Sequence, residues 1–99
     1  MILVTGTIDV DPAQRDAFIA ACQTVQAKTR EETGCEAYAF SADLDDPGRF
    51  HVSERWADED AINGHMASPH MAEFMGALGG LVKAGSLTKW TGAEGSKLM

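Results

Sequence analysis

The segment 54–74 holds the residues best suited to chemistry, because two histidines, His65 and His70, lie five positions apart in it with a proline between them. Imidazole gains and loses a proton near neutral pH, so the segment predicts acid–base catalysis. Ser68 and Pro69 are typical of a helix start, which places His70 in a first helical turn. The positive end of a helix dipole disfavours imidazolium, so a neutral His70 could accept a proton. His65 and His70 are therefore the candidate catalytic residues. The alternatives are that His70 only packs beside Phe74 and bonds a loop carbonyl, and that His65 faces solvent.

A metal site is the alternative use of these histidines. Their spacing is not the i, i+4 spacing by which one regular helix holds an ion. His51 and Glu73 would have to converge on them from elsewhere in the chain, and a ligand set needs several convergent groups. The sequence therefore predicts no metal.

Three aromatic residues, Tyr38, Trp56 and Phe74, are the candidate substrate-binding residues. Tyr38 and Trp56 could each stack on an aromatic substrate and offer one hydrogen bond. Plain core residues would look the same in sequence, so both interpretations stay open. Glu54 lies on an otherwise apolar strand face, where a carboxylate is costly to bury unless it is paired. We assign Glu54 a structural bond to its neighbours and no catalytic role.

The elements that must position these residues follow from periodicity and turn chemistry. Alternation predicts strands, a stripe through Phe18, Cys22, Val25 and Thr29 predicts a helix, and Asp, Pro and Gly mark the turns. The order is β-α-β-β-α-β, with strands at 2–10, 35–42, 49–56 and 86–91, a first helix opened by Asp11-Pro12 and ended near Gly34, and a second helical region at about 58–82 broken near Ser68.

This order predicts an α+β fold, a ferredoxin-like four-stranded antiparallel sheet with both helices on one face. One domain covers residues 1–91, and residues 92–99 are expected to form a mobile or dimer-crossing tail. Nothing in 99 residues is left to cover the other sheet face. A second copy of the chain is the natural candidate.

Composition excludes two classes of partner. Eight Lys and Arg against 15 Asp and Glu give a net charge of −7. Nucleic acid and anionic membranes both need a basic surface, so neither is expected. No apolar run reaches the roughly 20 residues of a membrane span, and the first residues lack the form of a signal peptide. We therefore expect a cytoplasmic protein in which Cys22 and Cys35 are reduced and act as small apolar residues.

The chain resembles the antibiotic biosynthesis monooxygenase family, the small dimeric α+β barrel proteins. The resemblance rests on Glu32-x-Gly34-Cys35-x-x-Tyr38, on Asp46-Pro47 before Phe50, and on Glu54-x-Trp56-x-Asp58-x-x-Ala61 leading to His65-x-x-Ser68-Pro69-His70-Met71. These motifs occur in the family's order and span roughly residues 1–91. They are more specific for the family than for any one activity within it.

The resemblance implies a homodimer whose sheets pack face to face, with a pocket between sheet and helices in each subunit. It implies oxidation of a quinol or a phenolic, polyketide-type substrate with O₂ and no cofactor. The haem-degrading branch needs an Asn on the first strand, a Trp about where His65 stands and a His about where Met75 stands, so haem degradation is not expected. Two alternatives stay open, an isomerase or enolising enzyme acting on a small dicarbonyl and a non-enzymatic small-molecule binding module.

Overall fold

Four strands and three α-helices follow one another in the computed structural model, which describes residues 1–99. A 3-10 turn at Pro12–Gln14 leads into the first helix, and the Asp11 side chain accepts a hydrogen bond from the Ala13 N–H at 2.9 Å. The strands are β1 (Ile2–Val10), β2 (Cys35–Ala42), β3 (Arg49–Trp56) and β4 (Val82–Thr91), and the α-helices are α1 (Arg15–Thr29), α2 (Glu59–Met66) and α3 (Pro69–Ala77).

The strands form one antiparallel sheet in the order β2-β3-β1-β4, with the helices packed on one face. Burial alternates strictly along β3, where Phe50, Val52, Glu54 and Trp56 are buried and their neighbours are exposed. Alternation of this kind is what a sheet covered on a single face requires. The α+β, ferredoxin-like fold expected from the sequence is confirmed.

The core lies between that sheet face and the helices. The predicted stripe of α1, Phe18, Cys22, Val25 and Thr29, is buried as expected. Burial raises the pKa of the Cys22 thiol to about 12, which suits a small apolar core residue. None of the helices is both long enough and apolar enough to span a bilayer.

The predicted boundary between the second helical region and the last strand is wrong. The helix α3 ends at Ala77, and β4 begins at Val82 instead of Ser86. Gly80 adopts the left-handed conformation with φ of 81°, which only glycine reaches without strain, and the chain turns there. Val82 then pairs with Val10 on β1. The apolar spacing suited a longer helix, but the glycine pair at 79–80 ended it.

The opposite face of the sheet is open to solvent in the single chain. Trp90 is 54% exposed there, and its Nε1–H donates to Thr5 Oγ1 at 2.9 Å. Residues 92–99 form neither helix nor strand, and only the Ala93 N–H, which donates to the Met1 carbonyl at 3.2 Å, ties them to the sheet.

Candidate active site

The break between α2 and α3 brings the two histidines together. His65 lies in the last turn of α2, and His70 is the second residue of α3. Between them Ser68 links the two helices, because its Oγ donates to the His65 carbonyl at 2.6 Å and accepts from the Met71 N–H at 3.3 Å. Pro69 opens α3, as predicted. The imidazole rings lie 6.1 Å apart, centre to centre.

A carboxylate from the α1–β2 loop joins them. Glu32 Oε2 lies 2.7 Å from His65 Nδ1 and 3.2 Å from His70 Nε2. A carboxylate only accepts hydrogen bonds, so the imidazole nitrogens facing it carry the hydrogens. In neutral rings this leaves Nε2 of His65 and Nδ1 of His70 as proton acceptors. We call Glu32, His65 and His70 the histidine cluster.

Gly34 permits the close approach that places Glu32. It adopts φ of 82°, and its carbonyl accepts a hydrogen bond from the Ala57 N–H at 2.9 Å. A Cβ at Gly34 would lie only 2.5 Å from the Cβ of Ala61. Ala61 and His65 are four residues apart on α2 and therefore share a helix face. The glycine lets the loop pack against this face and brings Glu32 to His65.

The histidine cluster is backed by an aromatic layer. The ring of His65 lies 4.8 Å from that of Trp56 and 5.3 Å from that of Tyr38, centre to centre. His65 is 1% exposed, and Trp56 is fully buried. Burial raises the pKa of the Tyr38 hydroxyl well above its ordinary range, so Tyr38 stays protonated. Tyr38 and Trp56 thus pack against the buried ring of His65.

Glu54 lies behind the same layer. Its Oε1 accepts a hydrogen bond from Trp56 Nε1–H at 2.9 Å, and its Oε2 accepts none from the protein. The residue is 8% exposed. Burial raises the pKa of the Glu54 carboxyl, while the Trp56 hydrogen bond and the nearby His65 oppose the shift. The structural bond expected for Glu54 is thus present, to a neighbour on its own strand.

An apolar cavity of 260 Å³ lies between the sheet and α3. Ten of its 12 lining residues are hydrophobic, and the other two are Glu54 and Gly85. Tyr38 and Phe74 both line it. Its one charged side chain is therefore Glu54, and its one hydroxyl is that of Tyr38. We call this space the apolar cavity.

Two other concavities border the histidine cluster. A cavity of 200 Å³ between α1 and α3 is lined partly by His70 and by Phe74, which it shares with the apolar cavity. An open groove of 460 Å³ beside α2 is lined by Glu32, Asp58 and Asp60 among others, and only one of its seven lining residues is hydrophobic. The groove is larger but acidic and open, so an apolar ligand fits the apolar cavity better.

The predicted residues thus fall into two groups. His65 and His70 come together in the histidine cluster, away from the walls of the apolar cavity. Tyr38 and Phe74 line the cavity, while Trp56 lies behind it. No site role was predicted for Glu32 from the sequence. The sequence pattern that could have indicated it is the Glu-x-Gly motif after α1, where a glycine turn directs the loop toward α2.

The histidine cluster also offers a set of metal ligands that was not predicted from the sequence. One ligand atom from each of Glu32, His65 and His70 lies within 4.8 Å of the others. The residues weighed with the histidines have other partners, because His51 bonds Asp43 at 2.7 Å and Glu73 lies 3.6 Å from Lys28. Two imidazoles and a carboxylate are donors that divalent transition metals accept.

Comparisons with known proteins show the family of this chain. Residues 1–77 match the model of the family described as antibiotic biosynthesis monooxygenase. The chain belongs to this family. The crystal structure of a Deinococcus radiodurans protein assigned to the same family is 28% identical, with a TM-score of 0.91, and the match covers 100% of this chain and 99% of that one.

Two relatives in sequence extend the comparison. The uncharacterised protein sll1783 of Synechocystis is 35% identical over 74 residues, which are 75% of this chain and 50% of that protein. The chain thus spans about half the length of that relative. YcnE of Bacillus subtilis, a candidate monooxygenase, is 28% identical over 75 residues, which are 76% of this chain and 79% of YcnE.

Proposed function

We propose that this protein is a cofactor-independent monooxygenase that oxidises a quinol or a phenolic, polyketide-type substrate with O₂. The apolar cavity is the observation that carries the proposal. It has room for a small aromatic ring, and Tyr38 and Phe74 offer faces for stacking. Its hydrophobic wall would keep water from a reactive anion. Family membership supports the same class of chemistry.

The reaction begins with loss of the substrate's hydroxyl proton to a base. The electron-rich anion then passes one electron to O₂, which gives a carbon-centred radical and superoxide. Their combination forms a carbon–oxygen bond, and the resulting peroxide takes up a proton and loses water to leave a quinone. One oxygen atom of O₂ enters the product and the other leaves as water. The protein positions the substrate, moves the proton and excludes water.

The base proposed from the sequence is a neutral histidine, His65 or His70. The hydrogen bonds to Glu32 support this, because each neutral ring keeps one nitrogen free to accept a proton. Neither ring lines the apolar cavity. Phe74 lines both that cavity and the one beside His70, so rotation of its ring would connect them.

A homodimer is the second part of the proposal. The open sheet face carries Trp90 and Leu3 in directly paired positions, which a second copy would cover. Light scattering of the purified protein tests this, with Trp90→Glu expected to shift a dimer toward monomer. A monomeric wild-type chain at micromolar concentration would contradict it.

An enolising enzyme acting on a small dicarbonyl is the second candidate function. A buried carboxyl with a raised pKa at an apolar cavity is an arrangement suited to taking a proton next to a carbonyl. Such an enzyme would exchange substrate hydrogens with solvent deuterium and consume no O₂.

The test is O₂ uptake by the metal-stripped protein with a panel of hydroquinones and naphthols. We expect uptake above the autoxidation rate, and label from ¹⁸O₂ in the quinone product. Two variants, His65→Asn and His70→Gln, test whether either histidine is the base, because each keeps a hydrogen-bond donor toward Glu32 but cannot accept the substrate proton. If no phenol or quinol supports uptake by folded protein, the proposal is wrong, and a search for enolising activity or simple ligand binding follows.

A further inference from the structure

The apolar cavity contains an ionisable group that the monooxygenase proposal above leaves unused. Glu54 is the one carboxyl on a wall that is otherwise hydrophobic apart from Gly85. Trp56 Nε1–H occupies its Oε1, and its Oε2 accepts no hydrogen bond from the protein. A carboxyl oxygen that has no donor from the protein and belongs to a cavity wall can accept a hydrogen bond from a ligand. A ligand hydroxyl in the cavity is suited to this.

We propose that Glu54 is the catalytic residue that contacts the substrate hydroxyl and takes its proton. This inference rests on the proposed function, and it assigns the role of base to Glu54 instead of to a histidine. It requires no movement of Phe74, because Glu54 already lines the cavity. The histidine cluster then acts through other residues, since the His65 ring packs against Trp56 and Trp56 donates a hydrogen bond to the carboxyl. His65 and His70 become positioning residues.

The proton balance of the reaction closes on this one carboxyl. The Glu54 carboxylate accepts the phenolic proton and becomes a carboxylic acid, and the substrate becomes a phenolate. After O₂ has added to carbon, the same proton returns to the peroxide anion. That transfer restores the carboxylate. The hydroperoxide then loses water, made from its outer OH and the hydrogen on the oxidised carbon, and leaves the quinone. O₂ is the oxidant, the substrate supplies the electrons, and no other reactant is needed.

The surroundings of Glu54 suit a base of this kind. Desolvation raises its pKa, Glu32 adds to the rise through repulsion, and Trp56 and His65 favour the ionised form. Tyr38 faces it from β2 as a neutral hydroxyl, and the lining residues from α3 are apolar. A base of higher pKa takes a phenolic proton more readily. Since the base must be ionised, kcat/KM should rise with pH through this raised pKa.

The experiment compares Glu54→Gln with His70→Gln, using 1-naphthol as the probe and its oxidation to 1,4-naphthoquinone as the readout. In Glu54→Gln the amide oxygen of the new side chain can still accept from Trp56, so the fold is retained. We expect kcat/KM of Glu54→Gln to fall by about 10²- to 10³-fold, and its rise with pH to disappear. His70→Gln should lower kcat/KM by less than about tenfold and should keep the rise of kcat/KM with pH. Glu59→Gln, on the exposed face of α2, is the matched control.

Anaerobic binding of 1-naphthol separates this inference from the proposed function. Glu54→Gln should bind it about tenfold more weakly, since an amide N–H cannot accept the naphthol proton. If the wild type binds 1-naphthol more tightly than Glu54→Gln but oxidises nothing, the monooxygenase proposal is wrong, whereas the contact between Glu54 and the ligand hydroxyl is confirmed. Equal binding by wild type and Glu54→Gln overturns the inference, as does a Glu54→Gln enzyme that keeps the wild-type rate and pH profile.

Discussion

The histidine cluster and the apolar cavity both border Tyr38, and they differ in how fully their polar groups are paired. In the cluster one carboxylate oxygen is shared by two imidazoles, at 2.7 and 3.2 Å. In the cavity the Glu54 carboxyl has one donor, Trp56, and 260 Å³ of space beside it. The cluster is rich in titratable groups that bond one another, whereas the cavity has a single carboxyl with one oxygen left free for a ligand.

The difference separates stability from chemistry. Paired buried groups stabilise a fold as long as every partner remains, and removal of one leaves the other uncompensated. An incompletely paired group beside a cavity costs stability and is available to a ligand. Substitutions in the cluster should therefore act mainly on folding, and substitutions at the cavity mainly on turnover.

The largest expected effect is the loss of stability in His65→Leu. Leucine fills much of the imidazole volume but gives Glu32 no donor, so a mostly buried carboxylate loses its shorter hydrogen bond. We expect a loss of about 3 kcal/mol in the free energy of unfolding, measured by urea denaturation. His70→Leu, at the longer and more exposed contact, should lose only about 1 kcal/mol. If the two variants lose equally, the two contacts with Glu32 contribute alike and this view of the cluster is wrong.

The next effect concerns the glycine that admits Glu32. Gly34→Ala places a Cβ 2.5 Å from that of Ala61 and forces φ of 82° on a residue that resists it. We expect a loss of about 2 kcal/mol and a shift of the His65 ring resonances in NMR spectra, as the loop moves from α2. Gly64→Ala on α2, which meets no atom within 4 Å, is the control and should be neutral or slightly stabilising. Unchanged His65 resonances in a destabilised Gly34→Ala would show that Glu32 is placed by something else.

The sequence predicted the fold well because the fold depends on local patterns. Alternation in β1 and β3, the stripe of α1 and the Ser68-Pro69 restart are each readable from a few neighbouring residues. The one error in the fold, at the end of α3, came from an apolar spacing that suited a longer helix running across the glycine pair at 79–80. Pairing of Val82 with Val10, a contact between distant parts of the chain, decided it.

The candidate site was predicted less completely because its contacts are long-range. The histidines were recognised as a pair, but their shared partner Glu32 lies more than 30 positions away in the chain. Nothing in the local sequence reveals that Trp56 rather than a solvent molecule bonds Glu54, or that Glu54 faces a cavity. The carboxyl was noticed as unusual on an apolar face and then interpreted only as a structural residue.

Filling the apolar cavity tests the other side of the comparison. Gly85 lines the cavity from β4, and a Cβ there would meet only Thr7 and Ile8 at ordinary contact distances, 3.8 and 3.9 Å. Gly85→Leu should occupy the space and lower kcat/KM for 1-naphthol by about tenfold or more, with stability within about 0.5 kcal/mol of the wild type. Gly76→Leu on α3, outside the cavity, should leave turnover unchanged. Full activity in Gly85→Leu would place the substrate elsewhere.

The smallest effect is the most specific, because it concerns the stability cost of the carboxyl proposed to act on the substrate. Burial raises the pKa of Glu54 in the folded chain. The contribution of Glu54 to folding stability is therefore most favourable below the ordinary glutamate pKa, and it is lost as pH rises through the raised pKa. The glutamine in Glu54→Gln does not titrate. The free energy of unfolding of this variant should therefore exceed that of the wild type by on the order of 1 kcal/mol at neutral pH, and the difference should vanish in acid. Urea denaturation across pH measures this, with the exposed Glu59→Gln expected to show no such trend. A Glu54→Gln variant less stable than the wild type at neutral pH would mean that the carboxylate is fully satisfied by the protein, and the distinction between a paired cluster and an incompletely paired cavity would then fail.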